Sequence, residues 1–256
     1  MRQREIFVIT AAFLGFLLWT VQLVPINYRY LAILGFSLVT YFTCAFNLRK
    51  YAKAQHWLTL FPLPALYSLC IGAFYFLLPT NFWSMFIILL LFSTGMYALL
   101  LSGNIFVVAQ HNKVIQLVHA AQNIYLFAAI IVSLLGVQVI VSFGWPFYLA
   151  SLAIFCLHLL LSLDIAWSVH LNEHLSLELW ELSLFSTLII TEIATTLLFL
   201  PLAAWHIALL VMSTFYLILG IMQVFISGKL YYQALNEYVA LAICILIMFI
   251  GFFPGK

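Results

Sequence analysis

Along the chain, long apolar runs are separated by short breaks made of charge clusters, prolines or polar residues. The runs are continuously apolar, with neither the two-residue alternation of strands nor the one-sided stripe of a soluble amphipathic helix. Cutting at the breaks predicts nine spans, at about 5-25, 29-48, 57-78, 82-104, 114-140, 146-167, 179-200, 204-226 and 236-253. Each is about as long as a helix needs to cross a hydrocarbon core some 30 Å thick. A membrane barrel would require short alternating strands, so the pattern specifies an all-α polytopic helical bundle. The first run, EIFVITAAFLGFLLWTVQLVP, follows Met1-Arg2-Gln3-Arg4. It is too long for a signal peptide and lacks a small-residue cleavage site, and it reads as a retained span.

Nine spans place alternate connections on opposite faces. Arg2, Arg4, Arg49, Lys50, Lys53, Lys113 and Lys229 then share the N-terminal side, and Arg29 and Lys256 lie opposite. Basic residues concentrate in cytoplasmic connections, so the expected orientation in an inner membrane has the N-terminus cytoplasmic and the C-terminus outside. The connections are short and the whole of 1-256 reads as a single transmembrane domain. No GxxxxGK[ST] phosphate loop occurs in it.

The two halves also echo each other. LPTNFW at 78-83 resembles LPLAAW at 200-205, FSTGMY at 92-97 is loosely matched by MSTFY at 212-216, and SGNIF at 102-106 by SGKLY at 227-231. The offset is four spans, so 29-140 would repeat as 146-253 in the same orientation, with 5-25 as an extra span. Parallel repeats of this kind are a transporter arrangement. In that alignment Glu192 falls opposite Cys70, so the carboxylate belongs to one half only.

Composition agrees with the pattern. Of 256 residues, 67% are hydrophobic and 6% charged, against about 25% charged in a soluble domain. A net charge of +2 provides no field for nucleic acid. The expected partners are the lipid bilayer, a lipid or small-molecule ligand, and other membrane subunits. Cys44, Cys70, Cys156 and Cys244 are scattered singly, without metal or disulfide spacing, and read as small apolar packing residues. No motif calls for a cofactor. Retinal chemistry needs a lysine deep in a span, whereas Lys113 and Lys229 lie at span ends; H-E-x-x-H and G-x-S-x-G are absent.

Polar residues cluster toward the cytoplasmic face. Asn104, Gln110, His111, Asn112, Gln116, His119, Gln122 and Asn123 surround the fourth and fifth spans, and Asp164, His170, Glu173, His174, Glu178, Glu181, Gln223 and Glu237 lie at a comparable depth elsewhere. Facing inward, they would line a polar cavity open to the cytoplasm; facing outward, they are ordinary interfacial residues. Glu192 is deeper. In TEIATTLLFLP (191-201) it sits thirteen residues into its span, about 20 Å at 1.5 Å per residue. A carboxylate there costs about 2.5 kcal/mol or more unless it is paired, wetted or protonated. Glu181 lies three turns earlier on the same face, and His158 and Gln223 are the candidate neighbours by depth. Two readings follow: a proton-coupled or ligand-binding site, or interhelical glue.

HLNEH at 170-174 fits the H-x-x-E-H pattern of inverted zinc peptidases. His170 and His174 would chelate the metal and Glu173 would activate a water. The motif lies in a short connection, with no specifically spaced third ligand, and a solvated polar loop is the simpler reading.

Two stretches carry a family resemblance. One is NIFVVAQHNKVIQLVHAAQ at 104-122; the other runs from Glu192 through Pro201, Tyr216, Gly220 and Gln223 to GKLYYQALNEY at 228-238. Together they resemble a family of polytopic membrane proteins from small-genome bacteria of candidate phyla, across about the C-terminal two thirds of the chain. Lys229 and His119 stand where that pattern has arginine, which removes any bidentate guanidinium role. No activity is established for the family, so the resemblance implies an architecture and draws attention to Glu192 and Glu237. The overall expectation is a non-enzymatic multi-pass protein that transports or binds a small molecule or lipid. An intramembrane metal-dependent hydrolase and a structural subunit are the alternatives.

Overall fold

The computed structural model describes residues 3–48, 59–78, 81–109, 115–171, 176–226, 228 and 232–252. Among them are nine α-helices and no strand: α1 (Gln3–Gln22), α2 (Arg29–Leu48), α3 (Pro62–Tyr75), α4 (Phe82–Ala109), α5 (Ile115–Ser142), α6 (Phe147–His170), α7 (Leu177–Leu198), α8 (Ala204–Ile226) and α9 (Tyr232–Phe252). Seven are long and apolar enough to cross a membrane. The protein is therefore a polytopic helical membrane bundle, with a helix at each of the nine expected places.

The helix ends follow from local chemistry. Ser176 caps α7, its hydroxyl accepting from the Leu179 N–H at 3.4 Å, and Glu178 sits in the positive first turn. Pro146 precedes α6, and Leu171 ends it in a left-handed conformation at φ 52°. α7 stops before Leu200-Pro201, as the residue preceding a proline disfavours helical geometry.

The third helix departs from expectation. Instead of a span over 57-78 it is a 14-residue helix, about 21 Å long and short of the hydrocarbon core. Pro62 at its first position fixes the helical φ and lacks a donor that would be unsatisfied there, which makes this the natural starting point. α3 is buried on nearly every side, from Leu63 through Ala65, Tyr67 and Cys70 to Ala73.

The chain divides into two compact units, Met1–Val132 and Ser133–Lys256, with the boundary inside α5. In the first, α1 packs on α2 and α4, and α3 packs on α2 and α4. Phe92 is the hub, with Tyr67 stacked on it at 5.7 Å and Phe36 tilted against it at 5.7 Å. Close approach there depends on glycine: a Cβ on Gly95 would run into the Tyr67 hydroxyl, which donates to the Leu91 carbonyl. In the second unit α6 packs on α7 and α8, α7 on α8, and α8 on α9. The last turns of α6, from Leu161 to Ser168, are buried all round, and Trp167 is its largest enclosed side chain.

Candidate functional site

The second unit contains Glu192, Glu181, His158, Gln223 and Glu237, and the structure treats them very differently. α7 buries Leu179, Ser183, Ser186, Thr187, Ile190, Ala194 and Leu197. Its other face exposes Glu181, Phe185, Leu188, Glu192 and Thr196, spaced three and four residues apart. Glu192 thus belongs to an apolar, outward-facing stripe. Its carboxylate has no hydrogen-bond or ion-pair partner among the described residues. Fifteen residues separate it from the start of α7 and six from its end, about 22 Å and 9 Å along the axis.

His158 is the opposite case. It is fully buried on α6, Nδ1 lying 2.9 Å from the Ile154 carbonyl and Nε2 2.9 Å from the Ser133 hydroxyl on α5. A carbonyl can only accept, so Nδ1 carries the proton and Nε2 accepts from Ser133, which is a fully satisfied neutral imidazole. The Phe215 ring of α8 closes the third side, edge-on at 4.9 Å. Neither ring nitrogen of His158 is directed to Glu192. A Ser–His pair oriented by a third group has the outline of an activated nucleophile, but both residues have zero exposure, so no substrate reaches them.

Hydroxyls join α6 to α7. Ser151 meets Thr195 at 2.9 Å and Ser162 meets Thr187 at 3.0 Å, with the Ser183 carbonyl 3.3 Å from the Ser162 hydroxyl as an alternative acceptor. Thr187, Thr191, Thr195 and Thr196 each donate to the carbonyl four residues earlier on α7. These links fix how α7 is rotated and hold Glu192 on the outer side. The sequence shows the four-residue rhythm of Ser183, Thr187, Thr191 and Thr195; nothing in it signals Ser133 as the partner of His158.

The remaining expected positions are dispersed. Glu181 and Glu237 are exposed and Gln223 is half-buried on α8, one turn beyond Gly220, against which the Tyr238 ring of α9 packs. Gln116, His119, Asn123 and Glu178 are exposed, and His119 Nδ1 lies 3.0 Å from Gln122 Oε1. Asn104 is half-buried and Asp164 fully buried. Gln110, His111, Asn112, Glu173 and His174 lie outside the described residues. His170 is the last residue of α6 and the chain turns left-handed at Leu171, so the helix does not continue from His170 toward His174. Among the described residues no three His, Cys, Asp or Glu side chains come together as a metal-binding group. No family model, curated protein or solved structure matches the chain.

Proposed function

We propose that the protein is a multi-pass inner-membrane protein that binds and moves a small molecule or lipid, with Glu192 as its proton-exchanging group. The observation that carries this reading is an ionisable side chain exposed on a spanning helix, well inside either end, without a protein partner among the described residues. A carboxylate acting as interhelical glue would be inserted between helices, as Ser162 and Thr187 are. Acidic groups within membrane spans mark ligand paths and proton relays, because their cost is otherwise uncompensated. The reading includes a cytoplasmic N-terminus, supported by Arg2, Arg4, Arg49, Lys50 and Lys53, which flank α1 and α2 on one side.

Infrared titration of the purified protein in lipid tests the role of Glu192. The wild type is expected to show a protonated-carboxyl band that comes and goes with pH and disappears in Glu192→Gln, with thermal stability unchanged because the side chain is exposed. Identical titrations of wild type and variant would sink the proposal.

A further inference from the structure

Beside Glu192 the second unit has a groove of about 540 Å³ between α7, α8 and α9. Its walls are apolar, from Ile189 and Ile193 on α7, Leu217 and Ile218 on α8, and Leu246 on α9. Thr196 and Thr214 also line it. Both threonine hydroxyl protons are committed within their own helices, Thr196 to the Glu192 carbonyl at 2.6 Å and Thr214 to the Val211 carbonyl at 2.8 Å. These side chains therefore present no free polar hydrogen to a ligand. Glu192 does not itself line the groove, but it stands three residues after Ile189 and four before Thr196, so on the helix surface it adjoins two residues that do.

By sequence, the second unit as a whole is acidic. The second unit contains six of the seven acidic residues, with only Lys229 and Lys256 opposing them, and the first unit holds the other seven basic residues and Glu5. An apolar trough with a carboxylate beside it and no free donor complements an apolar body carrying positive charge. It offers nothing to an anion or to a ligand that needs hydrogen bonds donated to it. Opposite charge within about 4 to 6 Å, out of bulk water, is worth far more than at a soluble surface.

We infer that this groove binds lipophilic organic cations, their apolar bulk between α7, α8 and α9 and their charge against Glu192. This rests on the reading of Glu192 as the functional group of the span and names the class of ligand it serves. Tetraphenylphosphonium and tetraphenylborate, of nearly the same shape and opposite charge, separate charge recognition from apolar partitioning. With the full chain in phosphatidylcholine nanodiscs, equilibrium binding of tetraphenylphosphonium should be saturable above empty discs and at least ten-fold weaker in Glu192→Gln. Tetraphenylborate should show no saturable component. Leu246→Trp, which fills the groove, should also abolish cation binding, and the milder Ile218→Phe should weaken it if the tryptophan variant does not fold. Equal cation binding by wild type and Glu192→Gln, or saturable binding of the anion with matching affinity, would overturn the inference. If that happens while the infrared band of Glu192 still titrates, the ligand class is wrong and the proton-exchange role stands; if the band is also absent, both fail.

Discussion

Two ionisable residues in neighbouring helices of one unit are handled in contrary ways. His158 is enclosed, with each ring nitrogen matched to one partner, whereas Glu192 faces outward with none among the described residues. Removing a partner from the enclosed ring has a measurable cost. Ser133→Ala leaves a buried acceptor unsatisfied and should destabilise the protein by about 1 kcal/mol, and His158→Ala, which also opens a void beside Phe215, by about 2 to 4 kcal/mol. Because both changes break the same bond, the double variant should lose less than the sum, as read by chemical unfolding in mixed micelles. Strict additivity would mean that the 2.9 Å contact contributes nothing. At this scale the sequence was informative about depth and silent about direction. It placed Glu192 and His158 well inside their spans, but in a bilayer both the lipid-facing and the interior faces of a helix are apolar. No polar stripe therefore tells which way a side chain points.

The helices themselves were the most legible part, because uninterrupted apolar length and proline or charge breaks are local properties of the chain. The third shows where that legibility ends: hydropathy alone merges the apolar residues on both sides of Pro62, and the backbone consequence of the proline shortens the helix. How closely helices approach was not readable, since it depends on which residue lies opposite a glycine. A Cβ on Gly95 would clash with the Tyr67 hydroxyl and lie 2.7 Å from its Cζ, a stacked ring with little freedom to move. Gly95→Ala should accordingly cost about 1 to 3 kcal/mol. A Cβ on Gly35 of α2 meets nothing within 4 Å, so Gly35→Ala should stabilise by about 0.5 to 1 kcal/mol through reduced backbone freedom in the unfolded chain. Thermal unfolding midpoints moving in opposite directions for the two alanines would bear this out, and equal shifts would contradict the packing of Tyr67 on α4.

Across the whole molecule, the four cysteines sample both kinds of environment. Cys44 and Cys70 are buried, in α2 and α3, and Cys156 and Cys244 are exposed, on α6 and α9. A small membrane-permeant thiol reagent should add to two sites in the native protein and to four after denaturation, with peptide mass spectrometry assigning the first pair to Cys156 and Cys244. Early modification of Cys70 would contradict the enclosure of α3. The proton exchange proposed for Glu192 has an electrical consequence as well. A proton reaching it from the end of α7 at Leu198 crosses about a third of a 30 Å core, and one coming from the end at Leu177 about two thirds or slightly more. A full crossing is worth about 2.3 kcal/mol per 100 mV, so the two routes couple proton binding to voltage by about 0.7 and about 1.6 kcal/mol. The corresponding changes in proton affinity are about three-fold and about fifteen-fold per 100 mV, with opposite signs. The depth of one carboxylate along one helix therefore makes its response to membrane potential a report on the face from which it is filled.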